Sequence, residues 1–496
     1  MKNNQIYLFA LLSMLLIFGC KNEKDASTEA PVYDLVILNG RVIDPETKTD
    51  TILHIGVNGQ SIEKVSSSLL KGTKTIDASG KTVSPGFIDL HSHSPFPLGE
   101  SFQVRDGATT LLDLEAGAYP YMEYGYHIKD SARANFGAST AHGFARIKVI
   151  EGKDQAYITS RELQGMVPGQ AFTKIATTEQ VEKMRKLIDE DLNKGGIGIG
   201  LLLDYMSPAI SDEELKMVFE VAKKNEVVIF VHSRRGPNGD IAGLNELIDL
   251  SIETGGAAHI CHINANAMGE VGNWLDAIDA ANAKGADISA EMFPYTAGST
   301  GISADVFNRD WQTIFNITYE DVQWSETGEW FTKESWEDKR KNNPEGMIIH
   351  HYMKDDWIKT ALKYPTMMVG SDGMPAITMD VKSNPNLTSS FTRLLTYYVR
   401  DEKTISLNDA IAKASYLPAK RLESFAPAFK KKGRIQEGAD ADILIFNLDD
   451  LKVNASYTDP YVASTGWDYV IVHGAVAVEN DQLTNNRAGK RVTANK

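Results

Sequence analysis

Five side chains in this sequence have the types and spacing of a divalent-metal hydrolase centre. His91 and His93 stand two apart in Pro85-Gly86-Phe87-Ile88-Asp89-Leu90-His91-Ser92-His93. On a strand this spacing turns both imidazoles to one face, which is how a metal site begins. His232 ends the apolar run 227–231, and His262 ends another such run thirty residues later, about one βα unit further on. Asp372 ends the run 367–371 and precedes Gly373. A carboxylate in that place serves as a ligand or as a proton shuttle for a metal-activated water. Any one of these residues, taken alone, reads as a satisfied polar group in a loop. All of them at the ends of strand-like runs read as one site.

Elements able to bring them together follow from the same runs. Strand-like stretches at 83–91, 109–115, 137–142, 197–204, 227–232, 257–262, 287–293 and 367–372 alternate with helical patterns such as 213–224. Eight such alternations predict a (β/α)8 TIM barrel over 85–425, whose chemistry sits at the carboxyl ends of its strands. Both chain ends read differently. Residues 33–38, a turn at Asn39-Gly40, 41–43, 52–57 and 62–65 are strand-like, as are 441–446 and a terminal hairpin at 469–478 turning at His473-Gly474. They predict a small β-sandwich domain built from 32–84 and 426–496. The interval 305–343 breaks the rhythm and carries Trp311, Trp324, Trp330 and Trp336 among many charges. It reads as an insertion folded over the barrel mouth like a lid.

Length and charge narrow the function. A chain of 496 residues suits a large barrel with a satellite. Sixty-six acidic against 51 basic residues, net −15, argue against nucleic acid as a partner. At the start, Lys2 precedes an apolar run at 6–18, roughly a signal-peptide core and short for a membrane span. Ile17-Phe18-Gly19-Cys20 resembles a bacterial lipobox. The expectation is a lipoprotein signal peptide over 1–20, lipidation of Cys20, a polar tether over 21–31, and membrane anchoring in the cell envelope on the periplasmic or surface side. The other cysteine, Cys261, then has no partner for an internal disulfide. Strand alternation would point it away from His262, to pack behind the barrel wall.

Pro-Gly-Phe-Ile-Asp-x-His-x-His, the two later histidines and Gly370-Ser371-Asp372-Gly373 resemble the amidohydrolase superfamily. Runs 196–205, 293–298, 390–395, 417–422 and 433–442 are similar to N-acyl-D-amino-acid deacylases, and Leu114-Glu115-Ala116-Gly117 to the N-acyl-D-glutamate deacylase branch. The resemblance spans nearly the whole chain after the tether. It implies a Zn2+ enzyme that cleaves a linear amide and releases a carboxylate and a free amino acid. Those deacylases place a cysteine ligand where this chain has Ala116, so Glu115 becomes the implied replacement. The implied tight Zn2+ site is then Glu115, His232 and His262. Asp372 acts as base and then as acid, with His91, His93 or Tyr205 at the oxyanion; the alternative is that His91 and His93 hold a second, weaker ion. No lysine stands in Leu201-Leu202-Leu203-Asp204-Tyr205, against a carbamylated-lysine bridge.

The same resemblance leaves the substrate less defined. Of the family's carboxylate contacts, a lysine position is Asn264 here, an arginine context reads Asn384-Pro385-Asn386, and only Tyr295 is kept. Arg234, Arg235 and Arg146 are the candidates to supply the missing positive charge to a small acylated amino acid. Two other readings stay open: hydrolysis of another acylated amine or a cyclic amide, and a non-catalytic, lipid-anchored ligand-binding protein. The intact set Glu115, His232, His262 and Asp372 speaks against the last.

Overall fold

The computed structural model describes residues 31–157 and 169–494. The leader expected over 1–20, with Cys20, lies outside the described residues.

Eight parallel strands form the barrel, in spatial order Phe87–Asp89, Ala108–Ala118, Asn135–Ala141, Ile199–Leu201, Val228–Val231, Ala257–Ile260, Ile288–Met292 and Met368–Val369. They are numbered first to eighth below. Their residues are almost entirely buried, because helices cover the outer face while side chains fill the inside. Val228 pairs with Ala257, Ala258 with Ile288, and Glu291 with Met368. Among the described residues no strand ladder joins the eighth strand to the first, and a side chain closes that seam. Asp89 accepts hydrogen bonds from the Ser371 backbone N–H at 2.9 Å, from the Ser371 hydroxyl and from the His91 N–H at 3.1 Å. The backbones then meet through His93 N–H to Gly373 O at 2.9 Å. Burial pushes the Asp89 carboxyl up to about 6 against these donors.

The helix Asp212–Asn225 shows why the outer layer forms. Ser211 caps its N-terminus through the Glu214 N–H, three acidic residues fill its first turn and two lysines its last. Leu215, Val218, Phe219 and Ala222 fall on one stripe and are buried against the barrel.

Both chain ends build one nine-stranded sheet in which Ile443–Phe446 pairs with Thr82–Pro85 and Trp467–Val472. The terminal hairpin turns through His473 and Gly474, both with positive φ, as a two-residue turn requires. Asn39-Gly40 does not turn the chain. Val32–Asp44 is a single strand with a bulge there, Asn39 taking φ 60°. The positive φ relieves the register shift instead of reversing direction.

Over the barrel mouth lies a three-stranded antiparallel sheet of Gly298–Gly301, Met347–His350 and Val322–Trp324. It shares a separate apolar core with Phe307, Trp311, Phe315, Phe331 and Trp336. Trp330 alone of the four tryptophans at 311–336 is exposed. Gly346 lets Trp324 fold back on the sheet, since a Cβ there would lie 1.7 Å from the indole.

Candidate metal centre and substrate pocket

Each side chain of the expected metal centre comes from the carboxyl end of a barrel strand. His91 and His93 follow the first strand, Glu115 lies in the second, His232 follows the fifth and His262 the sixth, and Asp372 follows the eighth. Two of these leave ordinary backbone space: His262 has φ 33° and Asp372 φ 50°. Left-handed backbone at residues with a Cβ is costly and is kept where the surrounding structure holds it for function.

That turn at His262 changes the expected facing of its neighbour. Strand alternation ends at Ile260, so Cys261 does not pack behind the wall. It is buried beside His91 and Glu291, inside the barrel.

Glu115 organises the centre. Its Oε1 lies 3.0 Å from His232 Nδ1 and 2.8 Å from His262 Nε2, and those two nitrogens are 3.0 Å apart. Its Oε2 lies 3.2 Å from His91 Nε2 and 3.7 Å from His93 Nε2, which are 3.1 Å apart. One carboxylate therefore faces two histidine pairs, one with each oxygen. Asp372 Oδ1 stands 3.5 Å from His91 Nε2 and 3.8 Å from His93 Nε2.

Electrostatics agree with a cation site. Burial alone would push the Glu115 carboxyl up, but His91, His232 and His262 hold it well below the usual carboxylate range. Burial and the nearby Arg235 charge lower His232 to about 3, so its imidazole is neutral with a lone pair to offer. Burial raises Asp372, and the histidines offset part of that. Four imidazoles packed nitrogen-to-nitrogen around carboxylates form the donor set of one or two divalent ions such as Zn2+. The residues present fit that group.

Above the centre is a pocket walled by Tyr205, Arg235, Phe293, Thr300, His350 and Tyr352, with Ala304 and Val306 from the covering segment. Tyr205 shares a hydrogen bond with Thr300 Oγ1 at 2.8 Å, and its ring lies 4.8 Å from that of His232. Arg235 is largely buried. Asp204 Oδ2 is 3.4 Å from its Nη1, and its Nε has no partner among the described residues. Asp204 also accepts from Arg309 at 2.8 Å, so two guanidiniums share one carboxylate.

Three residues expected at the substrate are elsewhere. Arg146 donates to Glu214 at 2.8 Å, to Lys174 O and Ala209 O at 2.7 and 2.8 Å, and to Ala171 O. These bonds hold its fork away from the pocket and tie it to the helix Asp212–Asn225 and to residues 171, 174 and 209. Arg146→Met is expected to destabilise the fold by about 3–5 kcal/mol in urea unfolding, because Glu214 is left buried without its cation. Substrate KM should be unchanged. Arg234 is held by Glu246, Ser207 O and Ile210 O. The Tyr295 hydroxyl bonds Ser389 Oγ at 2.6 Å behind the pocket wall. Asn264 is likewise committed, to Phe293 O at 3.2 Å.

His350, which precedes the last strand and which the sequence allowed to line the mouth, is in the pocket wall, whereas Glu291 and Asp113 were not singled out as site residues from the sequence. Only Glu291, an acid inside the apolar seventh strand, carried a readable signal: a charge that must be paired to be buried there.

Residues 82–477 match the model of the Amidohydrolase family. N-acyl-D-glutamate deacylase of Alcaligenes xylosoxydans xylosoxydans is 26% identical over 485 residues, covering 92% of this chain and 96% of that protein. The structure resembles N-acyl-D-glutamate deacylase from Bordetella bronchiseptica, solved with zinc and a phosphonate inhibitor that mimics the tetrahedral intermediate. The TM-score is 0.77 at 22% identity, covering 93% of this chain and 100% of that one. A D-aminoacylase described as having a binuclear metal centre gives a TM-score of 0.77, 22% identity and the same coverage. With a barrel of this topology, its candidate metal ligands at the strand ends and a family match over most of its length, the chain belongs to the amidohydrolase family.

Proposed function

We propose that this protein hydrolyses the amide bond of an N-acyl-D-amino acid in a zinc-dependent reaction, with N-acyl-D-glutamate as the first candidate. The carrying observation is a carboxylate shared by two histidine pairs, under a pocket whose wall holds the buried guanidinium of Arg235. The names of the relatives support the same substrate class. A divalent ion held by Glu115, His232 and His262 supplies, when bound, polarisation of the carbonyl and acidification of water.

The chain's own groups do the rest. Asp372 Oδ accepts a proton from the attacking water and aligns the water oxygen on the carbonyl carbon. As the C–O bond forms and the C–N bond breaks, Asp372 returns that proton to the leaving nitrogen. The amine departs neutral and the acyl group leaves as a carboxylic acid that ionises. Tyr205, whose burial raises its hydroxyl pKa, stays protonated and can donate to the developing oxyanion. Arg235, with its partnerless Nε, meets the substrate carboxylate.

Arg235→Met tests this reading. The KM for N-acetyl-D-glutamate is expected to rise about 10- to 100-fold, the worth of a charge-assisted hydrogen bond, with kcat little changed. An unchanged KM would remove Arg235 from the site.

An uncharged acylated amine is the second reading. It is favoured by Asn264 and the Asn384-Pro385-Asn386 context, which stand where the deacylases it resembles carry a lysine and an arginine for the substrate carboxylate. Equal turnover of N-acetyl-D-glutamate and its α-carboxamide would select it.

A further inference from the structure

Val32 opens the nine-stranded sheet and pairs with Lys71, which opens the parallel strand Lys71–Asp77. Leu69 lies in the loop that enters that strand. Leu69, 73% exposed, and Val32, 62% exposed, are the two most exposed large hydrophobic side chains among the described residues. Scattered singly on the surface, such side chains would need no explanation. Here both stand at the same end of one strand pair.

Cations continue this rim of the sheet. Lys71 and Lys74 are exposed. On the other side of Val32, Asp34 accepts the Gly59 N–H at 2.8 Å, and the next residue, Gln60, accepts from Lys490 Nζ at 2.9 Å. Lys490 leads back along the C-terminal arm to Arg487, which donates to Thr484 O at 3.3 Å, and Arg133 donates to the same carbonyl at 2.6 Å. Burial and the like charges of Arg487 and Arg105 lower the Arg133 guanidinium, against the buried Glu100 that accepts the Arg133 N–H at 2.7 Å. The bonds that hold Lys490, Arg487 and the Arg133 fork end on uncharged oxygens, so their positive charge stays at the surface. The acids on the rim are engaged, Asp34 with Gly59 and Glu437 with Lys64 at 2.8 Å. The arm crosses the amino ends of the barrel strands, since Lys490 O accepts the N–H of Phe136 near the start of the third strand at 3.0 Å. The rim therefore lies on the side away from the substrate pocket.

We infer that this rim rests on an anionic phospholipid surface, with Val32 and Leu69 in the bilayer interface, Lys71, Lys490, Arg487 and Arg133 on lipid phosphates, and the barrel mouth turned to solvent. Two observations name the occupant. Cys20, where a lipid is expected, stands twelve residues before Val32, and twelve residues reach at most about 40 Å. A lipid there holds this end of the sheet within that distance of the bilayer. The chain as a whole carries net −15 and is repelled by an anionic surface, except where its cations gather.

The test uses the full chain reconstituted with vesicles, fluorescently labelled at Leu69→Cys or, as a control beside the mouth, at the exposed Trp330→Cys. Cys261 is buried and does not compete for the label. Lipid spin-labelled at its headgroup quenches a label only at the bilayer surface. The expected result is quenching at position 69 on vesicles of phosphatidylglycerol and phosphatidylcholine, with little at position 330 and little on phosphatidylcholine alone. It should disappear in 1 M salt, where charges are screened within about 3 Å. Arg487→Gln combined with Lys490→Gln should lower the ratio of docked to undocked protein about 25-fold, at about 5-fold for each charge lost. No quenching at position 69 on the anionic vesicles, equal quenching on neutral ones, or equal quenching at position 330 would overturn the inference. So would a chain that floats with neither kind of vesicle. Quenching kept in full by the double variant would remove these cations from the surface.

Discussion

Asp372→Asn is expected to lower kcat about 10²- to 10⁴-fold, the worth of a positioned general base and acid, while metal content stays at the wild-type level. Asp372 stands at the edge of the His91–His93 pair, and its backbone is held at φ 50° between the Ser371 seam to Asp89 and Gly373. An amide in its place fills the same volume and still accepts a hydrogen bond through its oxygen. It cannot take the proton of the attacking water or give it to the departing nitrogen. Because the step affected is made in the transition state, kcat and kcat/KM should fall together and KM should move little. Steady-state kinetics alongside metal analysis of the same sample decides this. A variant that turned over normally would show that another group moves the proton, and one that had lost metal would assign Asp372 to the ligand set.

Glu115→Gln is the second large effect. Both oxygens of Glu115 are engaged, each 2.8–3.7 Å from a pair of imidazole nitrogens. The amide removes the negative charge common to both pairs and replaces one ligating oxygen with a nitrogen that has no lone pair to offer. The expected result is loss of both ions on dialysis, with turnover at background and not restored by added Zn2+. In the wild-type protein, by contrast, activity lost to a chelator should return with the metal. Loss of one ion only would show that the carboxylate serves a single pair. The purified variants compared by metal analysis, with circular dichroism to confirm folding, separate these outcomes.

The barrel and its candidate ligands were legible because most of them lie where an apolar run ends. His232 after 227–231 and Asp372 after 367–371 are polar residues forced to the strand tip by the burial of everything before them. Glu115 was harder. Sequence resemblance makes it a replacement ligand for one ion, and only the packing of four strand ends shows that it faces two pairs. Arg146 illustrates the opposite limit. An arginine near a strand end looks available to an anion, but the carbonyls that occupy it come from residues 171, 174 and 209, far from it in the chain. Cys261 departs from the facing that strand alternation predicts because the strand ends at Ile260, just before the left-handed backbone at His262. Asn39-Gly40 shows that positive φ is legible from residue type while its use, as a turn or as a bulge, depends on the partner strands. Glu291 shows that a buried acid within a strand signals a partner without naming it.

Metal-dependent cleavage of acylated amino acids is tested most directly by amine release from paired N-acetyl-D- and N-acetyl-L-amino acids, glutamate included, by the zinc-loaded protein. The expected result is release of the free D-amino acid that stops on chelation, resumes with Zn2+ and is absent in Asp372→Asn. Zinc-loaded protein that cleaves no amide of the panel, or cleavage that continues unchanged after the metal is removed, would contradict it.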